Sequence, residues 1–530
     1  MFTGLKLKFL FALGVFGLSV DLSSLVIAET DAVYSQSGDV SANSAVIWGR
    51  CNRARDAYLV VDVSTSRHFD TRFQFLDTEE PQTKLGPLVS VVNADTDYTG
   101  SILARELRPD THYFYRTLCV TRPAEGLATA EGGRIGEFRT AAAEEQEHAV
   151  RFIWAADLGG QGWGRNPNLE ITTVDRERIQ GGYVIFKVMR RLRPDFAVFQ
   201  GDMIYADNAI PAQKEIPVEV GGGVWINDLS KDFVAITLDE FRANWKYNLG
   251  DETFRRFLNR TPVYAQWDDH EVTNNWYPGE VLTAEPYSGL SADVAAERAK
   301  QAFFEYNAIR GGPIFRKFQR GKHLEVFLLD ERSFRGPNPA NSDPSGIEML
   351  GQEQFEWLKR TLKDSKATWK VISTHDPLSI ITGGEGDRDA WAQGEAEVLG
   401  REVQLSQLLK FIDDEGIKNV VYITSDVHYA AAISYDPERA VFKHFDPFWE
   451  FVIGPVHAGA FGPGELDPSF GSRYEFLRAA GTGKPPLPQN LPPPNLHSFG
   501  MIDVSHDGQL KVNLIDITGE VLYEKVIDPK

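Results

Sequence analysis

Gly201-Asp202-Met203-Ile204-Tyr205-Ala206-Asp207 directly follows the apolar run Phe196-Ala197-Val198-Phe199. A short apolar run closed by a turn signal reads as a buried strand, and the residues after it emerge at its carboxyl end. In an open α/β sheet that end lines the crevice where ligands bind, so Asp202 and Tyr205 stand where oxygens could hold a cation against a substrate. Four further apolar runs end in the same manner. Phe152 to Ala156 delivers Asp157 in Asp157-Leu158-Gly159-Gly160, and Val263 to Trp267 delivers Asp269-His270-Glu271. Trp369 to Ser373 delivers His375, and Asn419 to Thr424 delivers Asp426 and His428 in Ser425-Asp426-Val427-His428-Tyr429. A single aspartate after a strand usually caps a turn, and a single histidine is usually a satisfied surface or core residue. Together, the five ends are hard to explain as caps.

Around these ends, from Val150 onward, strands alternate with helices, the pattern of an α/β domain. Ile185, Val188, Met189 and Leu192 recur at helical spacing, as do Leu405, Leu408, Leu409 and Ile412, with Gly416 placed to end the second helix. Those stripes are core. The segments Pro211 to Ile236 and Tyr277 to Asp293 read as long loops that could wall a cleft. A Pro-rich run, Pro485 to Pro494, precedes two final strands at Ser498 to Val504 and Leu510 to Ile517.

Upstream, from Glu29 to Ala143, the signal is all-β. Ser44 to Trp48 and Ala57 to Val63 read as strands, and Leu107-Arg108-Pro109-Asp110-Thr111-His112-Tyr113-Phe114-Tyr115 resembles the corner before a late strand of a fibronectin-type or immunoglobulin-like sandwich. Cys51 and Cys119 both lie in this region, compatible with one intradomain disulfide, although strand parity does not settle the pairing. With no close-spaced cysteine pair, a Cys-rich metal site is excluded. At the very start, Lys6-Leu7-Lys8, the apolar stretch Phe9 to Val20 and Val26-Ile27-Ala28 before Glu29 form a signal-peptide pattern, too short for a comfortable membrane span. The expected organisation is therefore a signal peptide over residues 1–28, a β-sandwich over 29–143 and a larger α/β domain over 149–530. The expected location is periplasmic or extracellular, and the missing Arg-Arg pair in the leader points to the general secretory route.

The chain of 530 residues is 42% hydrophobic, 25% charged and carries a net charge of −20. That balance supports a large core and argues against a groove tracking nucleic acid, but a bound cation could still draw phosphate into an acidic cleft. No zincin repeat follows His270-Glu271, Gly481-Thr482-Gly483-Lys484 runs into Pro485 rather than a P-loop Ser or Thr, and no Gly-x-Ser-x-Gly elbow occurs. Metal-assisted hydrolysis is the chemistry left.

As a set, the strand ends resemble the metallophosphoesterase superfamily, whose motifs run Asp-x-His or Asp-x-Gly, Gly-Asp, Gly-Asn-His-Glu, a lone His, and Gly-His-x-His. More closely, Gly201-Asp202 with Ile204-Tyr205-Ala206-Asp207, Trp267-Asp268-Asp269-His270-Glu271-Val272 with Asn274-Asn275-Trp276, and Asp426-Val427-His428-Tyr429 are similar to the PhoD-type alkaline phosphatases, over most of residues 30 to 465. Purple acid phosphatases share the Asp-Leu-Gly start and the tyrosine. The resemblance implies a layered α/β/β/α sheet domain behind the sandwich. It implies a ferric site formed by Asp157, Asp202, Tyr205 and His428, and a second cation held by Asp202, Asp269, His375 and Asp426 with Asp202 bridging. Asp157 replaces the Cys of the best-known PhoD pattern, and both Asp157 and His375 move the set toward purple acid phosphatases. Asp269 and Asp426 stand where Asn and His are usual in the wider superfamily. Two extra carboxylates harden the second site, so calcium is the expected ion, with magnesium, manganese or zinc as alternatives.

Such a site suits a phosphate ester, because two cations roughly 3.5–4 Å apart acidify a bridging water and clamp the attacking and leaving oxygens. His270, next to Asp269, is the expected general acid. Asn275 is a candidate for a phosphate oxygen. Arg332 and Arg335 are weaker candidates, since structural ion pairing near a strand end is commoner than substrate contact. The expected activity is phosphate monoester hydrolysis by a monomer acting on small phosphate esters. The alternatives are a phosphodiesterase using the same site and a non-catalytic surface-binding module with structural metals.

Overall fold

A computed structural model describes residues 33–52, 56–69, 84–121, 129–218, 221–482 and 496–530. The leader and the Pro-rich run lie outside the described residues. The chain forms two units, one containing residues up to Thr140 with Leu258–Pro262 and Glu305–Arg310, the other Ala141–Phe257, Val263–Phe304 and Gly311–Lys530.

In the first unit the described strands are antiparallel wherever they pair. Val33–Gly38, Ala45–Cys51 and Thr99–Ala104 form one ladder. Lys84–Val92, Ala57–Ser64, His112–Thr121, Thr129–Gly132 and Gly136–Arg139 form another. Alternate residues of both ladders, among them Ile47, Leu59, Val61, Tyr113 and Tyr115, fill one apolar core. Such period-two burial is what half-buried strands require. At the predicted corner the Tyr113 hydroxyl accepts the Arg108 N–H at 3.0 Å. Cys51 and Cys119 form a disulfide.

The second unit holds two mixed sheets face to face. In one, Val150–Ala155, Phe196–Phe199 and Val263–Ala265 run parallel, flanked by the antiparallel Ser498–Val504, Leu510–Asp516 and Val521–Ile527. In the other, Leu324–Leu328, Trp369–Ser373, Val420–Thr424 and Phe448–Val452 run parallel, with Arg316–Gln319, Ala430–Tyr435 and Ser472–Arg478 antiparallel. Phe152, Trp154, Phe196 and Val198 from the first sheet meet Val326, Leu328, Val371, Val421 and Ile423 from the second in a single core. The opposite strand faces are covered by helices. Phe186 of Ile185–Arg191 packs on Phe199, ring centroids 6.2 Å apart. Phe355, Leu358 and Leu362 of Gly351–Asp364, with Leu405, Leu408, Leu409 and Ile412 of Arg401–Asp414, cover the second sheet. Strands buried on both faces explain why the sequence shows continuous apolar runs instead of alternation. Gly416, in the left-handed region with φ 64°, ends the second helix as its position predicts.

The carboxyl ends of the two sheets are sewn together by buried amides. Gln200 Nε2 donates to Ser373 Oγ at 3.0 Å and to the Ile423 carbonyl at 2.8 Å. Gln266 Nε2 donates to the Leu329 and Ser373 carbonyls at 2.8 and 3.0 Å. Two separate sheets thus present their functional ends on one floor.

Candidate metal centre

Each strand end turns sharply into this floor. Asp157, Asp202, Asp426 and His428 all have positive φ, at 63°, 52°, 70° and 57°. Non-glycine residues seldom adopt that conformation, and it clusters where surrounding structure holds functional groups against local preference. Two glycines make the turns feasible. A Cβ on Gly201 would lie 2.4 Å from the Asp268 nitrogen, and one on Gly160 would lie 2.5 Å from the Tyr205 ring. Glu271 then locks the second and third strand ends, accepting the N–H groups of Asp202 and Met203, each at 2.9 Å, and of Asp268 at 2.7 Å.

The structure brings Asp157, Asp202 and His428 within 4.8 Å of one another, with Tyr205 alongside. Tyr205 Oη lies 2.8 Å from His428 Nε2 and 3.5 Å from Asp157 Oδ1. The other nitrogen of His428, Nδ1, is committed to the Gly459 carbonyl. That contact fixes the tautomer and leaves the Nε2 lone pair toward the cluster, the arrangement usual for a ligating imidazole. Asp202, Asp269 and His270 form a second such group, and Asp268, Asp269 and Asp426 a third. Asp202 belongs to both of the first two.

His375 lies elsewhere. It groups with Asp268 and Asp376, its Nδ1 2.9 Å from Asp268 Oδ1 and 3.2 Å from Glu331 Oε2, while Nε2 faces the Glu331 N–H at 3.4 Å. Burial opposes its charge, but Asp268 and Glu331 outweigh that and raise its pKa to about 9. With Asp268 and Asp376 this imidazole forms a further group of ligand-type atoms, and Asp268 also belongs to the group with Asp269 and Asp426. Arg332 and Arg335 are buried and do not line the cleft. Arg332 binds Asp268 at 2.6 Å and Asp389 at 2.9 Å, and Arg335 binds Asp376 at 2.6 Å. Ion pairing, the stronger of their two sequence readings, is what the geometry shows.

His270 lines the cleft with Nδ1 2.7 Å from Asp207 Oδ1. Burial would lower its pKa, yet Asp207 and Asp269 prevail and raise it to about 10. Asp207 sits in the opening motif, but nothing in its spacing names it as the partner of His270. The long segments expected to wall the cleft do not line it among the described residues. Ile380–Gly383, Phe461, Gly462 and Gly464 do so instead, together with Gln161, Asn274 and Asn275. Those walls lack ligand-type residues, so sequence pattern gave them no signal.

The donor set fits hard cations. Asp157 Oδ2 is buried without a hydrogen-bond partner. Burial, reinforced by neighbouring carboxylates, raises the pKa values of Asp157, Asp202 and Asp426 well above the usual range. Burial and Asp202 do the same for Tyr205, and burial lowers His428 to about 3, keeping it neutral. Oxygen-rich anions crowded with a neutral imidazole bind a cation or hold protons.

The family model for PhoD-like phosphatases matches residues 154–513, and that for the PhoD-like phosphatase N-terminal domain matches residues 32–142. Alkaline phosphatase D of Bacillus subtilis (strain 168) is 27% identical over 304 residues, 53% of this chain and 49% of that protein. The match therefore spans about half the length of this curated relative. Among solved structures, PhoD is similar with a TM-score of 0.66 and 19% identity, covering 93% of this chain and 88% of the other. A purple acid phosphatase from yellow lupin (Lupinus luteus) seeds gives 0.53 and 12%, covering 93% and 74%. At these identities the two structures speak to the fold alone, a mixed α/β architecture of several sheets.

Proposed function

This chain belongs to the PhoD-like phosphatase family, and we propose that it is an exported, metal-dependent phosphoric ester hydrolase acting on small phosphate monoesters as an alkaline phosphatase. The observation that carries the reading is Asp202, a buried carboxylate shared by two adjoining ligand groups at the bottom of a cleft. Asp157, Asp202, Tyr205 and His428 would hold ferric iron. Asp202, Asp269, His375 and Asp426 would hold a divalent cation, calcium first, with Asp268 beside His375.

Bound ions would neutralise the phosphoryl oxygens and acidify a water. The remaining work falls to the chain. Asn275 is placed at the cleft to donate from its amide to a phosphoryl oxygen. His270 holds a proton with Nδ1 on Asp207, so Nε2 is the atom that delivers a proton to the leaving alkoxide. The positive-φ turns at Asp157, Asp202, Asp426 and His428 keep these groups fixed before substrate arrives. We further assign residues 1–28 to a signal peptide, 29–143 to an immunoglobulin-like sandwich and 149–530 to the hydrolase domain. Among the described residues no helix is long and apolar enough to cross a membrane.

The test is kcat/KM on a chromogenic phosphate monoester and its matching diester, using iron- and calcium-loaded protein. Strong monoester cleavage lost in Asp202→Asn supports the phosphatase. Diester preference replaces it with a phosphodiesterase, and no cleavage with metals bound overturns the enzyme reading. A visible tyrosinate-to-iron band is expected with iron, and an iron-replete colourless protein would exclude Tyr205 as a ligand.

A further inference from the structure

The cleft above Asp202 and Asp269 measures about 260 Å3 and its lining mixes the polar side chains of Gln161, Asn274 and Asn275 with the apolar ones of Ile381, Val427 and Phe461. Phe461 remains 40% exposed at the mouth. Its ring stacks on His428, centroids 4.7 Å apart and planes inclined by 26°. One face of the phenyl ring is thus backed by a candidate ligand residue in the same cleft.

The backbone around this ring is pinned at several points. Gly459 accepts from His428 Nδ1 and donates its N–H to Gln161 Oε1 at 2.9 Å. The Phe461 carbonyl accepts the Ala480 N–H at 2.9 Å. Gly464 donates to the Tyr429 hydroxyl and accepts from the Tyr474 hydroxyl, both at 2.9 Å. The Ile381 N–H donates to the Glu465 carbonyl at 3.0 Å, joining the two segments. A Cβ on Gly464 would approach Ile380 Cγ2 to 2.6 Å, so the closure needs glycine there. Exposed aromatic surface on so constrained a loop is presented to a ligand rather than left by chain mobility.

Charge narrows what the ligand carries. Asp202, Asp269, Asp389 and Asp426 line the cleft, and no lysine or arginine does among the described residues. A second phosphate or carboxylate on the alcohol arm would find no lysine or arginine there, and the His270 imidazole of the lining is already engaged by Asp207. Resting on the reading that this cleft receives a phosphoryl group, we propose that Phe461 and Ile381 form a subsite for the uncharged aromatic or apolar arm of a singly phosphorylated ester, with Phe461 setting selectivity for it.

Binding of phenylphosphonate and methylphosphonate to the full-length, metal-loaded chain, measured by titration calorimetry, tests this without turnover. The wild type is expected to bind phenylphosphonate about tenfold more tightly, in keeping with ring stacking and apolar burial. Phe461→Ala should abolish that preference, leave methylphosphonate affinity within twofold and retain metal. Should the alanine variant lose metal through its contact with His428, Phe461→Leu decides, with metal retained and the phenyl preference cut about threefold. Equal affinities in the wild type, or an undiminished preference in a metal-loaded variant, overturn the subsite. A phenyl preference in a protein that hydrolyses no ester would remove the hydrolase reading and leave the subsite standing.

Discussion

Two buried groups of carboxylates adjoin at the floor of the cleft, and they are neutralised in opposite ways. Asp268, Asp376 and Asp389 are met by the guanidinium groups of Arg332 and Arg335 at 2.6–3.2 Å. Asp157, Asp202 and Asp426 have no lysine or arginine ion partner among the described residues. Burial notwithstanding, Arg332 with His375 drives Asp268, and Arg332 with Arg335 drives Asp389, below the usual range. In Asp376 burial prevails over the same arginines and raises the pKa to about 7, and in Asp157, Asp202 and Asp426 burial and like charges raise it well above the usual range. A cluster that contains its own cations is finished on folding. A cluster that lacks them needs protons or external cations.

The sharpest way to break this contrast is one neutralising change in each group. Asp202→Asn should lower metal content and cut kcat/KM by on the order of 10³ or more, as expected when several kcal/mol of charge stabilisation are removed. Asp376→Asn should leave the metal content of purified protein unchanged. Metal analysis of both decides, and loss of metal from Asp376→Asn would erase the distinction.

Arg332→Met asks the converse. It strands Asp268 and Asp389 in the interior, and removing one partner from a buried pair typically costs about 3–5 kcal/mol. Denaturant unfolding of the metal-free chain should show that loss. A change below about 1 kcal/mol would mean that the arginine is not the counterion the contacts suggest. His270, whose backbone N–H touches both Asp202 and Asp269, belongs to neither group by role. His270→Ala should slow turnover about 10²-fold with metal retained, the usual worth of a general acid, and metal loss instead would make it a ligand.

One half of this contrast is readable in the sequence alone. Asp157, Asp202, Tyr205 and His428 each follow an apolar strand within a few residues, so local pattern finds them and the two packed sheets bring them together. The separation of His375 from the others depends on Asp268 and Glu331, which reach it from different strands. Likewise, that Arg332 and Arg335 point inward follows from Asp376 and Asp389, far along the chain. Pairing across a sheet leaves no trace in one sequence. The apolar part of the lining was missed for another reason, because Phe461 and Ile381 are of core type and nothing local marks them as exposed in a cleft. In the fold, the five strands that end in polar motifs were legible. The edge strand Val521–Ile527, half exposed and interrupted by Glu524-Lys525, was not.

The gentlest probe is pH, on which Asp268 and Asp389 act with opposite sign to Asp157, Asp202 and Asp426, with Asp376, raised to about 7, on the side of the latter. Asp268 and Asp389 have depressed pKa values when folded, so they add stability above the usual carboxylate range and withdraw it as pH falls through their folded values. Asp157, Asp202 and Asp426 have raised values, so the folded chain keeps protons that the unfolded chain has released. Their contribution is greatest below the usual carboxylate range and is lost as pH climbs toward the folded values, by at most about 1.4 kcal/mol per pH unit for each proton retained. Between pH 5 and 9 the metal-depleted chain should therefore lose thermal stability as pH rises. Saturating metal should flatten or reverse that slope, because a cation favours the ionised carboxylates and displaces their protons. Thermal unfolding with chelator and with metal measures both slopes. A metal-depleted chain whose midpoint climbs steadily to pH 9 would show that the acidic group is already neutralised from within, and the two clusters would then be alike.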